Sequence, residues 1–354
     1  MKSHIRIVGA GLIGTSIGLK VVELGHPVSM LDVNPQSQGL SRALMGRWSR
    51  VEENPSMVIV AVPPSATARV IKEQQVLYPE SIVVETSSTK TNLELELRDL
   101  SVDLSRIVLS HPISGREVNG PSAARADLFL NRAWIVSPLQ ENPEGVLRAV
   151  EDLILSLGST PYRMSAQEHD ELLATTSHLP QVLSTVLASK AGKWGSRASL
   201  AGQGLRDMTR LADSDAKLWV EILRVNEEAV TQTLQSLIQE LGRFKQAIEV
   251  RDESTIEDFF TEGKNGRSLI SGKHGAIPRN YTQCQIVVPD QPGALARIFD
   301  ICHRHSINIE DISLEHSPAQ ETGLLTVSIS PDQENTLDKA LIDSSFVFYF
   351  KEKK

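Results

Sequence analysis

The stretch "RIVGAGLIGTSIGLKVVELGHPVSMLDVNP", residues 6–35, carries the strongest fold signal in the chain. It opens on an apolar run and turns through Gly9, Gly11 and Gly14 in the spacing GxGxxG. A helical pattern follows, and then a second apolar run that ends at Asp32. In a βαβ unit that binds a dinucleotide, each part has a physical task. Gly9 makes the tight turn, Gly11 lets backbone approach a pyrophosphate, and Gly14 lets the helix pack on the strand with its N-terminus toward the phosphates. Leu12 and Ile13 complete this cofactor-binding set at the start of the helix. A carboxylate closing the second strand binds ribose hydroxyls and repels a 2′-phosphate, so Asp32 points to NAD rather than NADP.

Residues 1–164 alternate short β-branched runs with helical patterns. This predicts a Rossmann-type α/β domain, a parallel sheet with helices on both faces. The expected strands are "IRIVGA", "PVSMLDV", "MVIVAV", "SIVVET", "RIVLSH" and "AWIVSP", all nearly continuously apolar, as strands covered on both faces are. From residue 165 to 265 strand signals give way to helices, predicting an all-α substrate and dimerisation domain. The clearest pattern runs from Asp215 to Val250, where Trp219, Ile222, Leu223, Val230, Leu234, Leu237, Leu241, Phe244 and Ile248 recur at helical steps. So much apolar surface suits a helical interface between two copies, hence a homodimer. Residues 266–280 belong to a stretch rich in glycine and basic residues and read as a linker. Residues 281–354 read as βαββαβ, the ferredoxin-like order.

Bulk properties exclude several classes. The 354 residues suffice for two or three domains, and a net charge of −8 argues against nucleic-acid binding. The two cysteines, Cys284 and Cys302, form no metal pattern and no secreted disulfide framework. The longest apolar runs are too short to span a bilayer, and the sequence enters its first strand at once, without a signal-peptide pattern. A soluble cytoplasmic protein that binds no metal and no membrane is expected.

Beyond the nucleotide motif, chemistry gathers in "LSHPISGREVNG", residues 109–120. His111 ends an apolar strand, and in open parallel sheets ligands bind beyond the carboxyl ends of the strands. A histidine there can accept a proton at neutral pH, and it can equally serve as a cap satisfied by backbone. "VVETSSTK" ends another strand with Ser87, Ser88, Thr89 and Lys90, whose hydroxyls could hold a substrate hydroxyl or simply cap a helix. In the helical domain, "TTSHLPQ" carries His178. "GLRDMTRLADSDAKLW" carries Arg206 and Arg210, four apart on one helix face, and Trp219, a core candidate. A guanidinium is the natural partner of a substrate carboxylate, and a surface ion pair is the alternative for both arginines.

The N-terminal GxGxxG, "SSTK", "HPISGRE", "SHLP" and "GLRDMTR…SD…LW", in this order, resemble the prephenate dehydrogenase family of tyrosine biosynthesis over residues 4–265. The tail resembles an ACT domain, whose mark is a first strand ending "DQPGAL", here Asp290–Leu295. The resemblance implies NAD-dependent oxidative decarboxylation of prephenate to 4-hydroxyphenylpyruvate. It implies that His111 accepts the 4-hydroxyl proton and that Ser88 holds that hydroxyl and the nicotinamide. It further implies that Arg210 binds the side-chain carboxylate, that His178 contacts the pyruvyl group, and that Glu117 guards the pocket; should Arg210 not hold the carboxylate, Arg206 is next in line. For the tail it implies an amino-acid effector, with tyrosine as the end product, bound around Pro292, Gly293 and Ala294 and closed by Asn308 and Ile309 of a partner chain. Arg116 and Gln181 depart from residues common in the family. An arogenate dehydrogenase, a catalytically inactive NAD and amino-acid sensor, and a β-hydroxyacid dehydrogenase using Lys190 or Lys193 are the competing readings.

Overall fold

The computed structural model describes residues 4–46, 54–114, 120–270, 281–316 and 321–350, and the chain divides into two units, residues 1–252 and 253–354. In the first, β1 (Ile5–Val8), α1 (Leu12–Glu23), β2 (Val28–Leu31), α2 (Pro35–Met45), β3 (Met57–Val60), α3 (Pro64–Leu77), β4 (Ile82–Glu85), α4 (Thr91–Asp99) and β5 (Ile107–Pro112) alternate. With β6 (Ala133–Ser137), α5 (Glu144–Ser156) and β7 (Thr160–Arg163) they form a seven-stranded sheet in the order β2-β1-β3-β4-β5-β6-β7. All six expected strands form. Alternate residues feed two cores, which is why the runs are apolar throughout. Ile59, Val84 and Val108 pack with Ile17 and Val21 of α1 and Val150 of α5, whereas Val58, Val83 and Leu109 pack with Ile71 of α3 and Leu97 of α4.

Two features depart from the expected all-parallel sheet. Strands β2 through β5 are parallel, but β6 runs antiparallel to β5. A parallel return needs a long crossover, usually helical, and among the described residues the connection from β5 to β6 carries only the single 3-10 turn Pro121–Ala123. Strand β7, "TPYR", was not expected. It is short, largely exposed and contains a proline, which an edge position tolerates.

The helical part comprises α6 (Ala166–Leu173), a π turn at Ala174–His178, α7 (Leu179–Gly192), α8 (Gln203–Thr209), a 3-10 turn at Arg210–Asp213, α9 (Ala216–Val225) and α10 (Glu227–Val250). The long pattern after Asp215 is thus two helices. Asn226, at φ −105° and ψ 33°, breaks it. Among the described residues no helix is long and apolar enough to cross a membrane.

In the second unit, α11 (Glu253–Leu269) occupies the start of the expected linker, whose residues 266–269 are helical, while 271–280 lie outside the described residues. By compactness α11 falls in the second of the two units. Then come β8 (Thr282–Pro289), α12 (Ala294–Arg304), β9 (Ile309–His316), β10 (Thr322–Ile329), α13 (Glu334–Asp343) and β11 (Phe348–Phe350). This is the expected βαββαβ order, in an antiparallel sheet β11-β8-β10-β9. Cys284 and Cys302 are buried free thiols in its core, and burial pushes the Cys284 thiol up to about 12.

Candidate active site

The nucleotide end is built by backbone. Gly9 has φ +107°, and a Cβ there would lie 2.1 Å from the Ala61 carbonyl oxygen; one at Gly14 would lie 2.0 Å from the Gly9 carbonyl oxygen. Side chains are therefore excluded at both. Above Gly11 the space is open, with nothing within 4 Å of a Cβ, and no side chain caps the N-terminus of α1. Leu12 is buried and Ile13 packs against the core, so what they offer a ligand is backbone N–H. Asp32, half-buried just past β2, accepts from Ala10 N–H at 2.6 Å and from Asn34 N–H at 2.7 Å. Open space, uncapped N–H groups and a fixed carboxylate fit a dinucleotide.

At the end of β4 the loop "SSTK" turns mostly inward. Ser87 donates its N–H and hydroxyl to Glu85 Oε2, at 2.7 and 2.6 Å. Lys90, fully buried, pairs with Glu85 Oε1, which also accepts Ser110 N–H of β5 at 2.9 Å. Desolvation lowers the Lys90 pKa, opposed by Glu85. Trp134 Nε1 donates to Ser110 Oγ at 3.0 Å, so this network ties β4, β5 and β6 together. Ser88 is only half-buried, unlike its three neighbours. No hydroxyl of this loop caps α4. Its first N–H groups, of Lys90 and Thr91, donate instead to Asp170 Oδ1 and Oδ2 at 2.9 and 2.8 Å. Beside the loop lies a cleft of about 310 Å³ reaching Ser65, Asn92, Glu96 and Arg224; neither His111 nor Ser88 lines it.

His111 is half-buried at the end of β5, and its Nδ1 lies 2.9 Å from Nε2 of His169. Nδ1 of His169 in turn lies 2.8 Å from Asp170 Oδ1. Desolvation holds His111 well below the usual histidine range, helped by His169, Lys90 and His178. Burial likewise lowers His169, against the pull of Asp170. Burial works to raise the Asp170 carboxyl, but hydrogen bonds from His169 and Thr91 outweigh it and hold the group low. The neutral imidazoles and ionised carboxylate form a chain from α6 to the sheet edge. Sequence reasoning missed His169 and Asp170. The capping box of Ser165 and Glu168 marks the helix start, but no local signal says that its first turn meets His111.

His178 lies on the π turn. Pro180 follows it within the helix, and a proline there removes an N–H and crowds the preceding turn, which the wider π turn relieves. Its ring is buried, 3.2 Å from Asn226 Nδ2 and edge-on to Trp219 at 5.9 Å between centroids. Desolvation lowers its pKa to about 4. Asn226 Nδ2 also donates to the Asp170 carbonyl oxygen at 3.0 Å, so the residue that breaks the long helix links His178 to the His169 turn. Trp219 is half-buried rather than core.

Arg210 is exposed and stands one residue past the end of α8, at the start of the 3-10 turn, so Arg206 and Arg210 do not share one continuous α-helical face. Gln181 Nε2 donates to the Leu211 carbonyl oxygen at 2.7 Å and fastens that turn to α7, one helical turn beyond His178. Arg206 donates to the Ala201 carbonyl oxygen at 3.1 Å, the backbone of its own loop. Arg116 and Glu117 lie outside the described residues. In the second unit, Gly293 caps α12 at φ +84° beside exposed Pro292, and Ala294 is buried with its N–H donated to Gln291. Asn308, exposed beside Ile309, donates from its side chain to Glu310 at 2.8 Å.

Known proteins resemble this chain domain by domain. The prephenate dehydrogenase nucleotide-binding domain matches residues 29–162, its dimerization domain residues 165–262, and the ACT domain residues 282–338. The "probable prephenate dehydrogenase NovF" of Streptomyces niveus is 28% identical over 346 residues, 94% of this chain and 95% of that one. The prephenate dehydrogenase of Lactococcus lactis subsp. cremoris is 28% identical over 326 residues, 88% of this chain and 90% of that one. A crystal structure of prephenate dehydrogenase from A. aeolicus, in complex with hydroxyphenyl propionate and NAD+, shares the fold with a TM-score of 0.67 at 23% identity, over 75% of this chain and 98% of that one. The chain belongs to the prephenate dehydrogenase family, as an NAD-dependent enzyme with an ACT domain behind its nucleotide-binding and dimerization domains.

Proposed function

We propose that this chain converts prephenate to 4-hydroxyphenylpyruvate with NAD, under feedback from tyrosine bound at its ACT domain. One observation carries the catalytic reading. Strands β1, β2, β4 and β5 are parallel, so their carboxyl ends put the glycine loop, Asp32, Ser88 and His111 along one sheet edge. Three interstrand steps of about 4.8 Å separate β1 from β5, roughly 14 Å, the scale of a dinucleotide laid across strand ends. The sheet order reverses at β1, where such sheets bind nucleotides.

Bound NAD would supply the hydride acceptor, held by the backbone of the Gly9–Gly14 loop and by Asp32. His111 takes the 4-hydroxyl proton as the hydride leaves the same carbon. The bond to the ring carboxylate breaks, carbon dioxide departs, and its electron pair completes the aromatic ring. The proton returns from His111 to the phenolate oxygen, so no net proton is released. Ser88 holds the hydroxyl, and Arg210 takes the side-chain carboxylate through its planar fork. His178, Glu117 and Arg206 complete the substrate pocket. Leu241 and Ile248 of α10 and Val186 of α7 are exposed apolar side chains, which supports pairing of two copies as a homodimer. Pro292, Gly293 and Ala294 of one ACT domain with Asn308 and Ile309 of its partner form the effector site.

Steady-state rates with prephenate and arogenate, each with NAD and NADP and with or without tyrosine, test the reading. Prephenate with NAD should be the fastest pair, and tyrosine should inhibit. A chain ending near Pro278 should stay active and lose that response. Faster turnover of arogenate would reassign the substrate, and unchanged inhibition of the shortened chain would move tyrosine to the active site.

A further inference from the structure

Resting on the reading of His111 as the base, we propose that His169, held by Asp170, is a positioning residue that fixes the tautomer of His111 and keeps its Nε2 bare for the substrate proton. Both Asp170 oxygens accept backbone N–H groups, from Lys90 at 2.9 Å and Thr91 at 2.8 Å, as an ionised carboxylate does. A carboxylate only accepts, so the proton in its 2.8 Å contact with His169 sits on His169 Nδ1. A neutral imidazole protonated at Nδ1 has a bare Nε2. That bare nitrogen lies 2.9 Å from His111 Nδ1, so His111 must donate there, and its own Nε2 carries the lone pair.

Without this partner a neutral histidine divides between two tautomers, one of which has no lone pair toward the substrate. The partner acts again during the reaction. As the substrate O–H breaks and the Nε2–H bond forms, His111 becomes an imidazolium, and its Nδ1–H···Nε2 bond to His169 becomes charge-assisted. When the proton returns to the product oxygen, His169 and Asp170 are unchanged. His169 and Asp170 are 0% and 4% exposed, so water cannot readily replace either of them.

Three full-length variants test this: His169→Gln, whose amide oxygen can accept from His111 Nδ1–H; His169→Phe, which cannot; and Asp170→Asn, whose amide can donate to His169 and reverse both tautomers. The readouts are kcat, KM for prephenate, NAD affinity, and the ¹⁵N NMR shifts of the His111 ring. His169→Phe should lower kcat roughly 10²-fold, a share typical of acid–base assistance, with KM and NAD affinity nearly unchanged. His169→Gln should recover most of that loss. Wild-type His111 should be protonated at Nδ1 and bare at Nε2, and Asp170→Asn should shift the proton to Nε2. Equal rates for the Gln and Phe variants, or a wild-type ring protonated at Nε2, would overturn the proposal. Should Asp170→Asn fail to fold because α4 loses its cap, the Gln and Phe pair and the wild-type spectrum still decide. Wild-type protein inactive on prephenate would sink the functional reading, while the NMR shifts would still report the tautomer.

Discussion

In the proposed mechanism Arg210 and His111 would make separable demands on a substrate, one on binding and one on chemistry. A guanidinium that grips a side-chain carboxylate equally in ground and transition states affects KM and leaves kcat nearly alone. Arg210→Ala should raise KM for prephenate by roughly 10- to 100-fold, the worth of a hydrogen-bonded charge, with kcat within a few-fold of wild type. Steady-state kinetics checks it; an unchanged KM would pass the role to Arg206. The placement of candidate residues was legible in the sequence where a strand or motif framed them. His111 and Asp32 each close an apolar run, and Gly9 and Gly14 sit where any Cβ would strike backbone. His169 and Asp170 were not legible, because their meaning arises only when α6 brings them against His111 and the start of α4. The inward turn of Ser87 and Lys90 was hidden for the same reason: Glu85 looks like an ordinary strand-end acid until the fold buries it.

At the scale of elements, the π turn before Pro180 and the break at Asn226 do related work. One presents His178, and the other supplies the amide that meets it. The periodicity after Asp215 showed helix but not the break, since Asn226 interrupts no apolar register. The burial of this cluster also sets a pH dependence. His111, His169 and His178 all have folded pKa values below their unfolded value, His178 at about 4. The unfolded chain therefore binds protons first as pH falls, and stability rises with pH across the window between the two values. The contribution is complete above about 6.5, the unfolded histidine value, and drains away as pH falls toward about 4. Denaturant midpoints of the full chain should fall across that window, and His178→Gln should flatten part of the slope. An identical slope in the variant would show that His178 does not titrate with unfolding.

Across the whole molecule, topology performs the assembly. Parallel strands align the ends of β1, β2, β4 and β5, so four short segments far apart in sequence share one edge. That arrangement could be read from alternating apolar runs, because strands covered on both faces leave a strong signal. The antiparallel β6 and the exposed edge strand β7 left a weak one, since their placement depends on a connection without a long helix and on a sheet margin. The second unit keeps its own core around Ile286, Ile298, Leu325 and Leu337, and its βαββαβ order was plain from strand and helix lengths. The extension of α11 to Leu269 was not, because glycines at 263 and 266 mimic a linker.

In the proposed reaction His111 at this edge is the base in an NAD-dependent oxidation of prephenate. The most direct measurement is the single-turnover rate of NADH formation from prephenate by His111→Asn, with NAD affinity determined on the same protein. The predicted result is a rate roughly 10²–10⁴-fold below wild type with NAD binding unchanged. A rate within a few-fold of wild type would contradict it.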